Sequence, residues 1–147
     1  IVMRVMGLDL GSKRVGVALS DSSGTIATPF TVIQRANRRS IDHEAVRRLV
    51  REEEVEFVVV GLPLSLDGTM GPAAKGALAE VAELATVLSV PVETYDERLT
   101  TVAADSVLIE ARLDARQRRR VVDKVAAAVM LQGWLDSRRH DHGTDVP

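Results

Sequence analysis

The sequence predicts an α/β domain built on a mixed five-stranded sheet with helices on both faces. Three observations predict it. The first third reads as three short strands joined by tight turns, the rest alternates between strand and helix patterning, and Phe57-Val58-Val59-Val60 is an unbroken apolar run of the kind that fills a strand covered on both faces.

The elements follow in order. Strands are expected over Val2 to Asp9, Val15 to Ser20 and Thr28 to Gln34, with Gly11-Ser12 and Asp21-Ser22-Ser23-Gly24 supplying the turn chemistry between them. From Ser40 to Glu54 the period changes: Ile41, Ala45, Val46 and Leu49 recur at helical spacing, with Arg47, Arg48, Arg51 and Glu52 to Glu54 on the other faces. The apolar strand at Phe57 comes next. Gly71-Pro72 opens a helix that Ala73 to Leu88 continue, because proline at the first helical position loses nothing by lacking an amide proton. Val90 to Tyr95 reads as the fifth strand, Thr100 as the cap of a helix to about Ala111, and Val121 to Arg138 as the last helix. Length makes this one domain, over residues 1–138, with 139–147 read as a disordered tail.

Composition excludes more than it identifies. Apolar residues are 46%, charged residues 27% and the net charge is -2, so nothing global marks a nucleic-acid or membrane surface and any polyanion site must be a local patch. There are no cysteines, which removes disulfides, thiolate metal sites and cysteine nucleophiles, and suits a reducing cytoplasm. No apolar run is long enough to span a bilayer, and the expected location is cytoplasmic.

If strands one, four and five lie parallel, their carboxyl ends open on one edge, where open α/β sheets place their ligands. That edge would collect Asp9, the loop Gly61 to Gly68 and Asp96-Glu97-Arg98. Asp9 ends an apolar strand, and a buried carboxylate needs a cation. Lys13 and Arg14 beside it would suit a polyanion; a turn-capping aspartate would read the same way. Glu97 sits between a strand and a helix start, where pairing with Arg98 is the plainer alternative. Asp123 lies in the first turn of its expected helix, beside the alanine stripe of Ala126 and Ala127, which would let the helix approach the strand ends closely.

Three carboxylates on one cleft repel each other unless a hard divalent cation such as Mg²⁺ joins them. Two ions held about 4 Å apart can activate water and stabilise a departing alkoxide in phosphodiester hydrolysis, with no histidine base. His43, on a charged helix face, and His140 and His142, near the end of the chain, are accordingly expected to be solvated. Arginines cluster at Arg35, Arg38 and Arg39, at Arg47, Arg48 and Arg51, and at Arg116, Arg118, Arg119 and Arg120. The last group leads into Asp123 and is placed to meet nucleic-acid backbone. Aromatic content of 3% argues against stacking on unpaired bases as the main binding mode.

Gly7-Leu8-Asp9-Leu10-Gly11-Ser12-Lys13-Arg14-Val15-Gly16-Val17-Ala18, Gly61-Leu62-Pro63 with Asp67-Gly68, Asp96-Glu97-Arg98-Leu99-Thr100-Thr101, and Asp123 followed by Ala127-Ala128 and Leu131-Gln132 resemble the successive motifs of the YqgF family, across nearly the whole chain. The resemblance implies a ribonuclease H-like fold over residues 1–138, kinship with Holliday junction resolvases, and metal-dependent cleavage of pre-16S rRNA in the bacterial cytoplasm, in contact with rRNA precursors and ribosomal particles. Branched DNA is the alternative substrate. By the same resemblance Asp9, Glu97 and Asp123 are the acidic catalytic positions, with Asp9 bridging two Mg²⁺ or Mn²⁺ ions and Glu97 and Asp123 each holding one. Lys13, Arg14, Gly68, Thr69, Arg98, Arg118, Arg119 and Arg120 are the expected nucleic-acid contacts. Two rival readings are an actin-like or kinase phosphate loop, which generally needs two related domains, and a catalytically silent nucleic-acid-binding module on the same fold.

Overall fold

A computed structural model describes residues 3–65, 67–99 and 115–144, with residues 99, 115–121 and 139–144 described as backbone only. The strands are β1 (Val5–Leu10), β2 (Arg14–Ser20), β3 (Ala27–Gln34), β4 (Phe57–Leu62) and β5 (Val92–Asp96), and the helices α1 (Arg39–Glu52), α2 (Pro72–Val87) and α3 (Ala115–Thr144). A 3₁₀ turn, Glu97–Leu99, follows β5. The expected helix from Thr100 to Ala111 lies outside the described residues. Among the described residues no helix is long and apolar enough to cross a membrane.

The sheet order is β3-β2-β1-β4-β5. The first three strands form an antiparallel meander, while β1, β4 and β5 run parallel, so Asp9, Gly61 and Asp96 share one edge. Strand alternation divides the core. Met6, Leu8, Val15, Val17, Val58 and Val60 face α1 and α2 with Val46, Val50 and Leu84. Val5, Ala18 and Val59 face α3, meeting Ala127, Met130, Leu131, Trp134 and Leu135. Gly7 lies on this second face, and a Cβ there would come 2.8 Å from Leu131 Cβ, so α3 rests almost on the sheet backbone.

Two expectations are corrected. Helix α3 starts at Ala115, and it continues through residues 139–144 of the segment expected as a disordered tail. Arg, Gln and Ala are strong helix formers, and no proline interrupts 115–144. Helix α1 is rotated relative to the expected face: Ile41 is 56% exposed, whereas Asp42, His43, Val46 and Val50 are buried. His43 is therefore not solvated. Polar partners await that face, Glu80 of α2 for His43 and Arg35 with the Ala36 amide for Asp42, and a local hydrophobic pattern carries no trace of them.

Candidate active site

Register fixes the site. On β1, Asp9 pairs with Gly16 of β2, and extending the parallel β1–β4 ladder by one residue brings Asp9 beside Gly61. Gly61 pairs with Tyr95, one residue before β5 ends and two before Glu97. Glycine on both sides of Asp9 leaves space that other residues fill. A Cβ on Gly61 would collide with Glu97 Oε1 and lie 2.7 Å from its Cγ, so the Glu97 side chain folds back over Gly61 toward Asp9. A Cβ on Gly16 would collide with the carbonyl oxygen of Asp123 and lie 2.5 Å from its carbonyl carbon, so α3 makes its closest approach where it carries Asp123.

Asp9 and Glu97 are hydrogen-bonded to each other. Burial pushes the Glu97 carboxyl up to about 8, reinforced by the charge of Asp9, the hydrogen bond to it and the charge of Asp96. Asp9 is raised as well: burial dominates, the hydrogen bond with Glu97 opposes it and the charge of Asp123 adds to it. Two half-buried carboxyls in contact retain a proton between them because neither can shed it without facing the other's charge. A divalent cation would take the place of that proton.

Asp123 is near enough for its charge to act on Asp9, yet its carboxylate is engaged elsewhere: Arg14 Nε donates to Asp123 Oδ2 at 2.5 Å. The side chains are 23% and 21% exposed, so the pair is partly shielded from water. Among the described residues, no three His, Asp or Glu side chains are gathered tightly enough to hold a metal ion. Two of the three expected carboxylates thus meet, and the third is held beside them by Arg14, whose expected phosphate contact would compete with this ion pair. The oxygen-only donor set suits a hard cation such as Mg²⁺ or Mn²⁺.

The other expected contacts are scattered around this edge. Lys13 and Ser12 are exposed at the β1–β2 turn. Gly68 takes φ +86, a backbone that favours glycine, and a Cβ there would sit 3.2 Å from Arg98 Nη1. Thr69 is anchored to Asp67 Oδ1 through its amide at 3.0 Å and its hydroxyl at 2.7 Å. Arg98 forks onto Asp96, with Nε 2.8 Å and Nη2 2.5 Å from Oδ2, which draws the guanidinium toward its own strand end. Arg118, Arg119 and Arg120 lie in the opening turns of α3, and their side chains are outside the described set. Arg35, grouped by sequence with Arg38 and Arg39 as a basic cluster, is only 14% exposed and is bound to Glu80 and Asp42. Sequence reasoning placed Gly16 and Gly61 in motifs without giving them a role; the signal was glycine inside a strand pattern, which marks close approach.

The family described as "RuvX: Holliday junction resolvase" matches residues 3–137. A protein of Moorella thermoacetica named "Putative pre-16S rRNA nuclease" is 50% identical over 134 residues, covering 91% of this chain and 95% of that protein. One of the same name from Thermoanaerobacter pseudethanolicus is 45% identical over 139 residues, covering 94% of this chain and 99% of the other. The structure of T. thermophilus RuvC in complex with Holliday junction substrate matches with a TM-score of 0.60 at 19% identity, covering 94% of this chain and 96% of that one. The fold is ribonuclease H-like.

Proposed function

The chain belongs to the RuvX family of Holliday junction resolvase description, and from that premise we propose that it is a metal-dependent endonuclease whose substrate is the precursor of 16S rRNA. The observation that carries the metal-site assignment is the Asp9–Glu97 pair, two half-buried carboxyls in contact at the edge where parallel strands end. Asp9, Glu97 and Asp123 would hold Mg²⁺ or Mn²⁺, which when bound supplies charge neutralisation at the phosphate and a water acidic enough to attack. The chain's own residues do the rest. Asp9 offers carboxylate oxygens from a rigid strand, Glu97 contributes from across Gly61, and Arg14 releases Asp123 as a substrate phosphate takes its place on the guanidinium.

Lys13 on its exposed turn, the Gly68-Thr69 loop and Arg98 would flank the cleaved phosphate, with Arg118, Arg119 and Arg120 gripping backbone further along. The shared name of the relatives favours rRNA precursor, and with it a cytoplasmic site of action near ribosomal particles. The family description supports a second reading, branched DNA as substrate. Asp9→Asn tests the proposal, because it removes the charge and keeps the shape. Cleavage of precursor rRNA and of a four-way DNA junction should be lost while the melting temperature stays at or above that of the parent; full activity in the variant would sink the assignment.

A further inference from the structure

A second polar cluster lies in the α1 and α2 layer and takes no part in the chemistry above. Asp42, His43 and Glu80 are 4%, 3% and 4% exposed. Arg35, just past β3, donates from Nη1 to Glu80 Oε2 at 2.5 Å, from Nη2 to Glu80 Oε1 at 2.9 Å, and from Nη1 to Asp42 Oδ2 at 3.3 Å. His43 Nε2 donates to Glu80 Oε2 at 2.8 Å, and the amide of Ala36 donates to Asp42 Oδ1 at 2.7 Å. Burial alone would raise the Glu80 carboxyl, but the hydrogen bonds from Arg35 and His43 outweigh it and hold the group below its usual range.

Buried ion networks seldom return their desolvation cost as stability, and their best-supported use is to fix one geometry. The geometry fixed here is the β1–β2 turn. Arg35 grips it twice: Nε donates to the Gly11 carbonyl at 2.9 Å, and the main-chain amide donates to the Lys13 carbonyl at 2.9 Å. Gly11 in turn donates its amide to the carbonyl of Asp9 at 3.1 Å. A continuous path of hydrogen bonds therefore runs from Glu80 and Asp42 through Arg35 and Gly11 to the main chain of Asp9.

We propose that Arg35 is a positioning residue: locked by Glu80 and Asp42, its guanidinium clamps the turn after Asp9 and so holds the Asp9 carboxylate in place for phosphodiester cleavage. The inference rests on the nuclease reading above and goes beyond it, since the Arg35 side chain bonds to Glu80, Asp42 and the Gly11 carbonyl rather than to the acidic pair. Lysine is the informative replacement. It keeps a positive charge against Glu80 and Asp42, but a single ammonium lacks the planar fork needed to bond Glu80 and the Gly11 carbonyl together.

Arg35→Lys and the parent are compared, as full chains, by thermal melting, Mn²⁺ binding without nucleic acid followed by electron paramagnetic resonance, and steady-state cleavage. The variant should melt cooperatively, bind Mn²⁺ about tenfold more weakly and lose kcat by a similar factor with KM little changed, the usual effect of losing an outer support of a metal ligand. Parent-like Mn²⁺ affinity and kcat in the variant would overturn the inference. Should Arg35→Lys fail to fold, the parent carries the test: the Arg35 Nε–H proton resonance should exchange slowly and shift on adding Mg²⁺, and a resonance indifferent to Mg²⁺ would overturn it. Failure of the nuclease reading itself looks different, because the parent would then neither bind Mn²⁺ nor cleave.

Discussion

Gly16→Ala should damage both stability and activity, whereas Gly76→Ala should damage neither. At Gly16 a Cβ would lie 2.5 Å from the carbonyl carbon of Asp123 and closer still to its oxygen. That is about 1 Å short of ordinary contact between carbon atoms. Both obstacles are main chain, so no side chain can swing aside and β2 and α3 must separate. Overpacking of this kind costs typically about 1–3 kcal/mol, and a backbone obstacle puts Gly16→Ala at the upper end, a drop of roughly 6–12 °C in melting temperature for a domain of this size. The helix that moves is the one carrying Asp123, so cleavage should fall by about 100-fold, the scale of a 1 Å misplacement in an active site. Gly76 in α2 meets nothing within 4 Å of an added Cβ, and alanine there should add about 0.5–1 kcal/mol by relieving the entropy cost of a helical glycine. Urea unfolding of both variants, with cleavage measured well below either melting temperature, checks the pair. Parent-like stability and activity for Gly16→Ala would refute the claim that this contact sets the position of Asp123.

Glu97 gives a pH prediction. Its carboxyl is raised to about 8, so the stability it contributes is fully present below its unfolded pKa and is lost as pH rises through about 8; metal-free protein should lose on the order of a few kcal/mol between pH 5 and pH 9. Added Mg²⁺ should abolish the loss and Glu97→Gln should lack it, so equal slopes for variant and parent in urea titrations would count against the buried pair. Arg14→Gln removes the cation that competes for Asp123, so Mn²⁺ should bind several-fold tighter while cleavage weakens through loss of a phosphate contact; unchanged Mn²⁺ affinity would show that Arg14 does not hold Asp123 back. Replacing Arg118, Arg119 and Arg120 with Gln should weaken nucleic-acid binding across sequences and flatten its salt dependence with little effect on melting, and an unchanged salt slope would assign the three to a solvated face.

Much of this was legible in the chain, and the failures have physical causes. The strands were readable because β1 is apolar except for Asp9, β4 is apolar throughout, glycine or proline follows each, and Pro72 marked the start of α2. Asp9 and Glu97 were placed on one edge by topology alone, and the register bears this out. The ion pair of Arg14 with Asp123 joins residues 109 apart, and a local reading sees only a basic turn beside an acidic strand end. The cluster of Arg35, Asp42, His43 and Glu80 was missed for the same reason: each looks like a surface residue until the fold brings α2 with Glu80 against Arg35 and His43. The early start of α3 was hidden because Arg116 to Arg120 carry helix propensity but no apolar period.

The most direct test of the metal-site assignment is anomalous diffraction from crystals of the parent protein soaked in Mn²⁺. A peak is expected within coordination distance of carboxylate oxygens from both Asp9 and Glu97, with Asp123 turned from Arg14 to join it. Mn²⁺ bound only elsewhere, with the Asp9–Glu97 hydrogen bond intact, would contradict it.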